Sequence, residues 1–202
     1  MPYTITSQQT VSTIQNNLTQ IALDRRYDEF FRICQQRQPT QKQISIIKHL
    51  INTDDFDINF KDNNGNTFLI MASLFNNIQI VKLLLVHDQL DINSQNNNGY
   101  TALITAVMVN TESIVTLLLE DRRTNLNIRD NDGKTVLKYA VYENHIDIVK
   151  ALLEDRRTEP NIRDNDGYTP LITAIMKDNT DIVKALLEDR RTEPNIRDNN
   201  GY

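Results

Sequence analysis

His49, His87, His145 and Cys34 are the side chains of this 202-residue chain best suited to nucleophilic or metal chemistry. A nucleophile needs a base within hydrogen-bond reach, and a metal needs several ligands brought onto one face or loop. The three histidines fall in separate stretches without a partner motif, and Cys34 stands alone on an apolar helix face. A phosphate-cradling loop needs glycines close together, whereas Gly65, Gly99, Gly133, Gly167 and Gly201 are the only glycines and each stands 34 residues from the next. The chain therefore reads as no enzyme, with no catalytic residue, no cofactor and no metal.

A recurring charge set, Glu-Asp-Arg-Arg at 120–123, 154–157 and 188–191, is the next candidate for chemistry. Stacking would place acids of one copy near arginines of the following one, as an exposed ladder contributing about 0–1 kcal/mol per pair. The competing reading is a grip on an acidic or phosphorylated partner. With 22 basic and 27 acidic residues and a net charge of -5, the chain offers no basic field to a phosphate backbone, so nucleic acid is not expected as a partner. One cysteine excludes an internal disulfide. No apolar run approaches the ~20 residues that span a bilayer, and Met1–Thr6 lacks a secretory signal, so no membrane association is expected. A cytoplasmic location follows as an expectation, delivery into a host cell as an effector being compatible with the same composition.

The elements that must carry these residues are set by the glycine ladder. Residues that reach positive φ freely are used once per 34-residue period, so one backbone turn is rebuilt at fixed spacing. After it come Thr67, Thr101, Thr135 and Thr169 as N-caps, with Pro170 at the first helical position of one copy. A short first helix carries the small residues Ala72, Ala106, Ala140 and Ala174, and Asn76, Asn110, Asn144 and Asp178 end it by taking the left-handed conformation. A second helix with paired apolar residues, such as Ile148, Val149, Leu152 and Leu153, presents a stripe that neighbouring repeats must bury on two sides.

Before these units, Val11, Ile14, Leu18 and Ile21 predict an amphipathic helix over 7–24, and Tyr27, Phe30, Phe31 and Cys34 a second over about 27–36. Thr40 and Gln43 form a capping-box pattern for a third, running to about Ile51. That third helix falls in register with the later second helices. Residues 1–26 are thus an N-terminal helical extension and 27–61 a degenerate capping repeat, followed by full repeats at 62–95, 96–129, 130–163 and 164–197 and the start of a further one at 198–202. Residues 147–165 and 181–199 are identical, and the array is expected to continue beyond Tyr202.

The pattern Asp-x-x-Gly-x-Thr-x-Leu, a short helix, a helix beginning Asp-Ile-Val-Lys-x-Leu-Leu and an asparagine before the next turn resembles the ankyrin repeat, across about residues 44–202. The histidine usual after Thr-Pro-Leu in that family is replaced by Ile70, Ile104, Lys138 and Ile172, and the period is 34 rather than 33. The resemblance implies an all-α solenoid of turn-helix-helix units whose turn tips and first helices line a concave, protein-binding groove. Carried over position by position, its residues are Asn66, Tyr100, Lys134 and Tyr168 at the tips, and Leu74, Phe75, Met108, Val109, Tyr142, Glu143, Met176 and Lys177 on the helices. Six of those eight helix positions are apolar or aromatic, with the more apolar ones toward the N-terminus. The implied function is non-catalytic capture of a partner protein, with no small-molecule substrate, by a monomer unless the uncapped C-terminal end self-associates. The alternative is the targeting region of a larger enzyme or secreted effector whose catalytic domain lies outside this chain. The family also implies that Asn59, Asn93, Asn127, Asn161 and Asn195 stand where asparagine hydroxylation occurs.

Overall fold

The computed structural model describes residues 24–201, so most of the extension, including the helix expected from residue 7, lies outside it. Within those residues the chain is all-α. Helix α1 covers 24–34 and therefore runs through positions assigned above to the extension, ending earlier than expected. Helix α2 (Gln41–Leu50) starts at the capping box, with Thr40 Oγ1 accepting from the Gln43 amide and the Gln43 side chain accepting from the Thr40 amide. Four helix pairs follow: α3 (Phe68–Leu74) with α4 (Ile78–Leu85), α5 (Ala102–Met108) with α6 (Glu112–Glu120), α7 (Val136–Tyr142) with α8 (Ile146–Glu154), and α9 (Pro170–Met176) with α10 (Thr180–Glu188).

Each first helix opens and closes by the same local chemistry. The hydroxyls of Thr67, Thr101, Thr135 and Thr169 accept the amides of Ile70, Ile104, Lys138 and Ile172 at 3.2–3.5 Å. At the far end Asn76, Asn110, Asn144 and Asp178 have φ between 53° and 58°. The reversal lets the next residue's amide reach back five residues, as Asn77 does to the Ala72 carbonyl at 2.7 Å and Thr111 to Ala106 at 2.9 Å. Seven-residue helices are too short to persist alone, so their stability comes from stacking. First helices pack in the order α3, α5, α7, α9 across the fully buried Ala72, Ala106, Ala140 and Ala174, and second helices in the order α4, α6, α8, α10.

The first unit has no glycine turn, and aromatic packing takes its place. Five of the six phenylalanines, Phe30, Phe31, Phe56, Phe60 and Phe68, gather with Tyr27, with ring centres 4.0 Å apart for Phe30–Phe68 and for Tyr27–Phe60. Asn77 then ties α1 to the stack, donating from Nδ2 to the carbonyls of Ile33 at 3.2 Å and Gln36 at 2.6 Å while Oδ1 caps α4.

Adjacent units are joined by three hydrogen-bonded ladders. At the tips, Asn97 donates from its backbone to Asn64 and from its side chain to Asn63, and Asn131, Asn165 and Asn199 repeat the arrangement. Behind the second helices, Asn59 accepts the Asp91 amide at 2.8 Å and donates to the Gln89 carbonyl at 2.8 Å, with Asn93, Asn127 and Asn161 in the same role. The third ladder corrects the expected charge pairing. Arg123, Arg157 and Arg191 pair with Asp121, Asp155 and Asp189 of their own unit, not of a neighbour, at 2.6 Å each. Each guanidinium then reaches across the joint to cap the preceding second helix, Arg157 donating to the carbonyls of Leu119 at 2.6 Å and Thr124 at 3.1 Å. The planar fork of arginine serves acid and helix end together.

Candidate protein-binding groove

The twelve residues assigned to the groove divide into two rows at opposite ends of the first helices. Leu74, Met108, Tyr142 and Met176 are the last residues of α3, α5, α7 and α9, and Phe75, Val109, Glu143 and Lys177 are their C-caps. The left-handed residue that follows turns the chain away, so each pair stands at a corner, and the corners line up from unit to unit. The six apolar members are between 37% and 64% exposed, and they make up most of the large exposed hydrophobic side chains among the described residues. Glu143 and Lys177 are exposed too, and the Lys177 ammonium lies 3.6 Å from the centre of the Tyr142 ring.

The tip row is different, because its side chains are half-buried and committed within the stack. Asn66 donates to Asp62 at 3.1 Å and accepts from Asn96 at 2.9 Å. Tyr100 meets Tyr139 edge to face with centres 5.8 Å apart. Lys134 pairs with Asp132 at 3.1 Å, and although partial burial opposes it, that carboxylate with Asp130 and Asp164 nearby raises the lysine above its ordinary value. Tyr168 lies beside the Lys138 ammonium, 5.6 Å from the ring centre.

Lys138, at the position of the family's usual histidine, forms an ion pair that sequence reasoning missed. Its Nζ lies 2.6 Å from Asp164 Oδ2 and also donates to the Tyr168 carbonyl, and both side chains of the pair are only 4% exposed. Burial lowers the lysine below its ordinary value, partly offset by Asp164. Next to it Tyr139 donates to Asp130 at 2.6 Å, and burial together with that carboxylate pushes its phenol well up. A lysine in an otherwise apolar register was the available signal, but the Asp164 partner, in the turn of the next repeat, emerges only from stacking.

A cleft of about 350 Å³ opens where the corner row meets the end of α1. Leu74, Phe75, Asn76, Val109 and Thr111 line it from the stack, and Gln35 and Arg37 from the loop after α1. That loop, six residues at 35–40, is twice as long as the three-residue joints between the helices of the other units, so the 34-residue register did not align it.

The histidines stay apart: His49 is exposed on α2, His87 half-buried after α4, and His145 is the N-cap of α8. Cys34 is buried, and burial pushes its thiol well above the usual range. Among the described residues no cluster of histidine, cysteine and carboxylate side chains could hold a metal, and no helix is long and apolar enough to cross a membrane.

A family model described as ankyrin repeats (3 copies) matches residues 37–130 and 110–198. No curated protein matches the sequence. With the capped helix pairs, the left-handed joints and the stacked tips falling inside the matched residues, the chain belongs to the ankyrin-repeat family.

Proposed function

We propose that this chain captures a partner protein on the row of corner residues from Leu74 and Phe75 to Met176 and Lys177. Ankyrin repeats are generally protein–protein interaction modules and typically non-catalytic. The observation that carries the reading is the alignment of exposed Leu74, Phe75, Met108, Val109, Tyr142 and Met176 along one line, where a purely solvated helix end would be polar. Aromatic and methionine side chains suit such contacts, since they bury large areas at low cost in conformational entropy or adapt their shape. A rigid stack also loses little freedom on binding. Affinity capture from a cell extract, with and without the pair Phe75→Ala and Met108→Ala, tests it. The pair should remove the specific partner while leaving the thermal transition in place; unchanged capture overturns the reading.

A further inference from the structure

We infer that the cleft at the α1 end of the corner row receives an apolar side chain lying next to a carboxylate, so that the partner presents a short acidic and apolar peptide segment there. The inference rests on the corner row being a protein-binding surface. Leu74, Phe75 and Val109 supply the apolar part of the cleft, and its volume of about 350 Å³ suits one or two side chains rather than the broad face of a folded domain.

Charge selects the neighbour of that anchor. Arg37 is the single charged residue between Gln35 and Thr40, is exposed, and among the described residues forms none of the ion pairs. A guanidinium has five donors and no acceptor, and it matches a carboxylate with two parallel hydrogen bonds. The Thr111 hydroxyl spends its proton on the Ala106 carbonyl at 3.0 Å, and Asn76 Oδ1 is a buried acceptor without a hydrogen-bond partner among the described residues, so neither atom offers a carboxylate a donor in place of Arg37. Arginine is also among the residue types on which interface energy concentrates. On a chain of net charge -5, Arg37 gives the cleft a cation that favours an acidic neighbour for the apolar anchor.

Fluorescence anisotropy on the full chain tests the inference, using short blocked peptides with one leucine–phenylalanine core flanked by aspartates, lysines or serines. The aspartate-flanked peptide should bind about tenfold more tightly than the lysine-flanked one at low salt. Arg37→Glu should invert that order, and Phe75→Ala should weaken the aspartate-flanked peptide without inverting it. Equal or tighter binding of the lysine- or serine-flanked peptide overturns the inference, as does binding of none. Self-association abolished by Arg37→Glu, with no peptide bound, would assign the cleft to a second copy and equally overturn it. If no peptide binds but Phe75→Ala with Met108→Ala still abolishes partner capture, the acidic segment is wrong and the corner row stands; if capture is also unchanged, both fail.

Discussion

The Lys177 ammonium sits over the Tyr142 ring, 3.6 Å from its centre, joining the corner of one unit to the corner of the next. An exposed pair of this kind contributes about 0.5–1 kcal/mol. A double-mutant cycle with Lys177→Met and Tyr142→Leu, read by urea unfolding, should show a coupling of that size. A coupling indistinguishable from zero would mean that the two side chains move independently. The pair also narrows the proposed binding row, since a partner must either pack on the tyrosine from its other side or displace the lysine.

The buried Lys138–Asp164 pair should be costly to break and cheap to replace. Lys138→Met leaves the Asp164 carboxylate buried without its cation and should destabilise the fold by about 3–5 kcal/mol. Lys138→Ile combined with Asp164→Asn should recover most of that, because the same two register positions are filled by Ile70 and Asn96 at an earlier joint. Denaturant titration of the three chains checks the order.

The same lysine gives a pH signature. Its folded pKa is depressed by burial, so between that value and the unfolded one of about 10.5 the unfolded chain holds more protons and stability rises with pH. Asp164 faces the ammonium, with Lys134 and Asp166 nearby. Tyr139, whose phenol is raised, acts oppositely above about pH 10, where the unfolded phenol ionises. The stability of the wild type relative to Lys138→Ile with Asp164→Asn should therefore rise as pH climbs through the lysine window, Tyr139 being common to both chains; a constant difference would refute the assignment.

Acid should act through the arginine ladder. The guanidiniums of Arg123, Arg157 and Arg191 hold Asp121, Asp155 and Asp189 below the usual carboxylate value. Their contribution is full above about pH 3.9, the unfolded value, and is lost as pH falls through the depressed folded values. Arg157→Ala should cost about 1–3 kcal/mol at neutral pH, lower the acid sensitivity of unfolding and gain little from Arg157→Lys, which lacks the fork. Thermal melts between neutral pH and strong acid provide the measurement.

Glycine at the tips is held by two constraints that can be separated. Gly99 has φ of +82°, and a Cβ there would lie 2.7 Å from the backbone of both Asp130 and Asn131. Gly201 has φ of +88° but, among the described residues, nothing within 4 Å of the same atom. Both alanine variants pay the left-handed strain of about 1–2 kcal/mol, and only Gly99→Ala adds the collision. Gly99→Ala should thus lower the denaturation midpoint well beyond Gly201→Ala.

Threonine caps, left-handed asparagines and alternating helices were legible because each depends on residues within one period. Joints between periods were not, since Arg157 needs the Leu119 carbonyl and Lys138 needs Asp164, contacts that exist only after stacking. The charge repeat was correctly given a structural role, but pairing by sequence register misjudged which unit supplied the acid. For the groove, sequence named the corner residues and placed tip residues beside them, whereas packing commits Asn66 and Tyr100 internally. Arg37 was invisible because its loop is three residues longer than the equivalent joints of the later units and falls out of their register.

The asparagine bridges point forward along the chain, from Asn59 to the loop at 89–91, whereas the arginine forks point back, from Arg123 to the helix ending near Leu85. The three later seams, which carry Arg123, Arg157 and Arg191, are therefore sewn from both sides by residues at constant spacing. The grammar is portable: excising 34 consecutive residues from the middle of the array rejoins each bridge to an equivalent carbonyl and preserves the seams, whereas removing one residue more or fewer puts forward and backward stitches out of step.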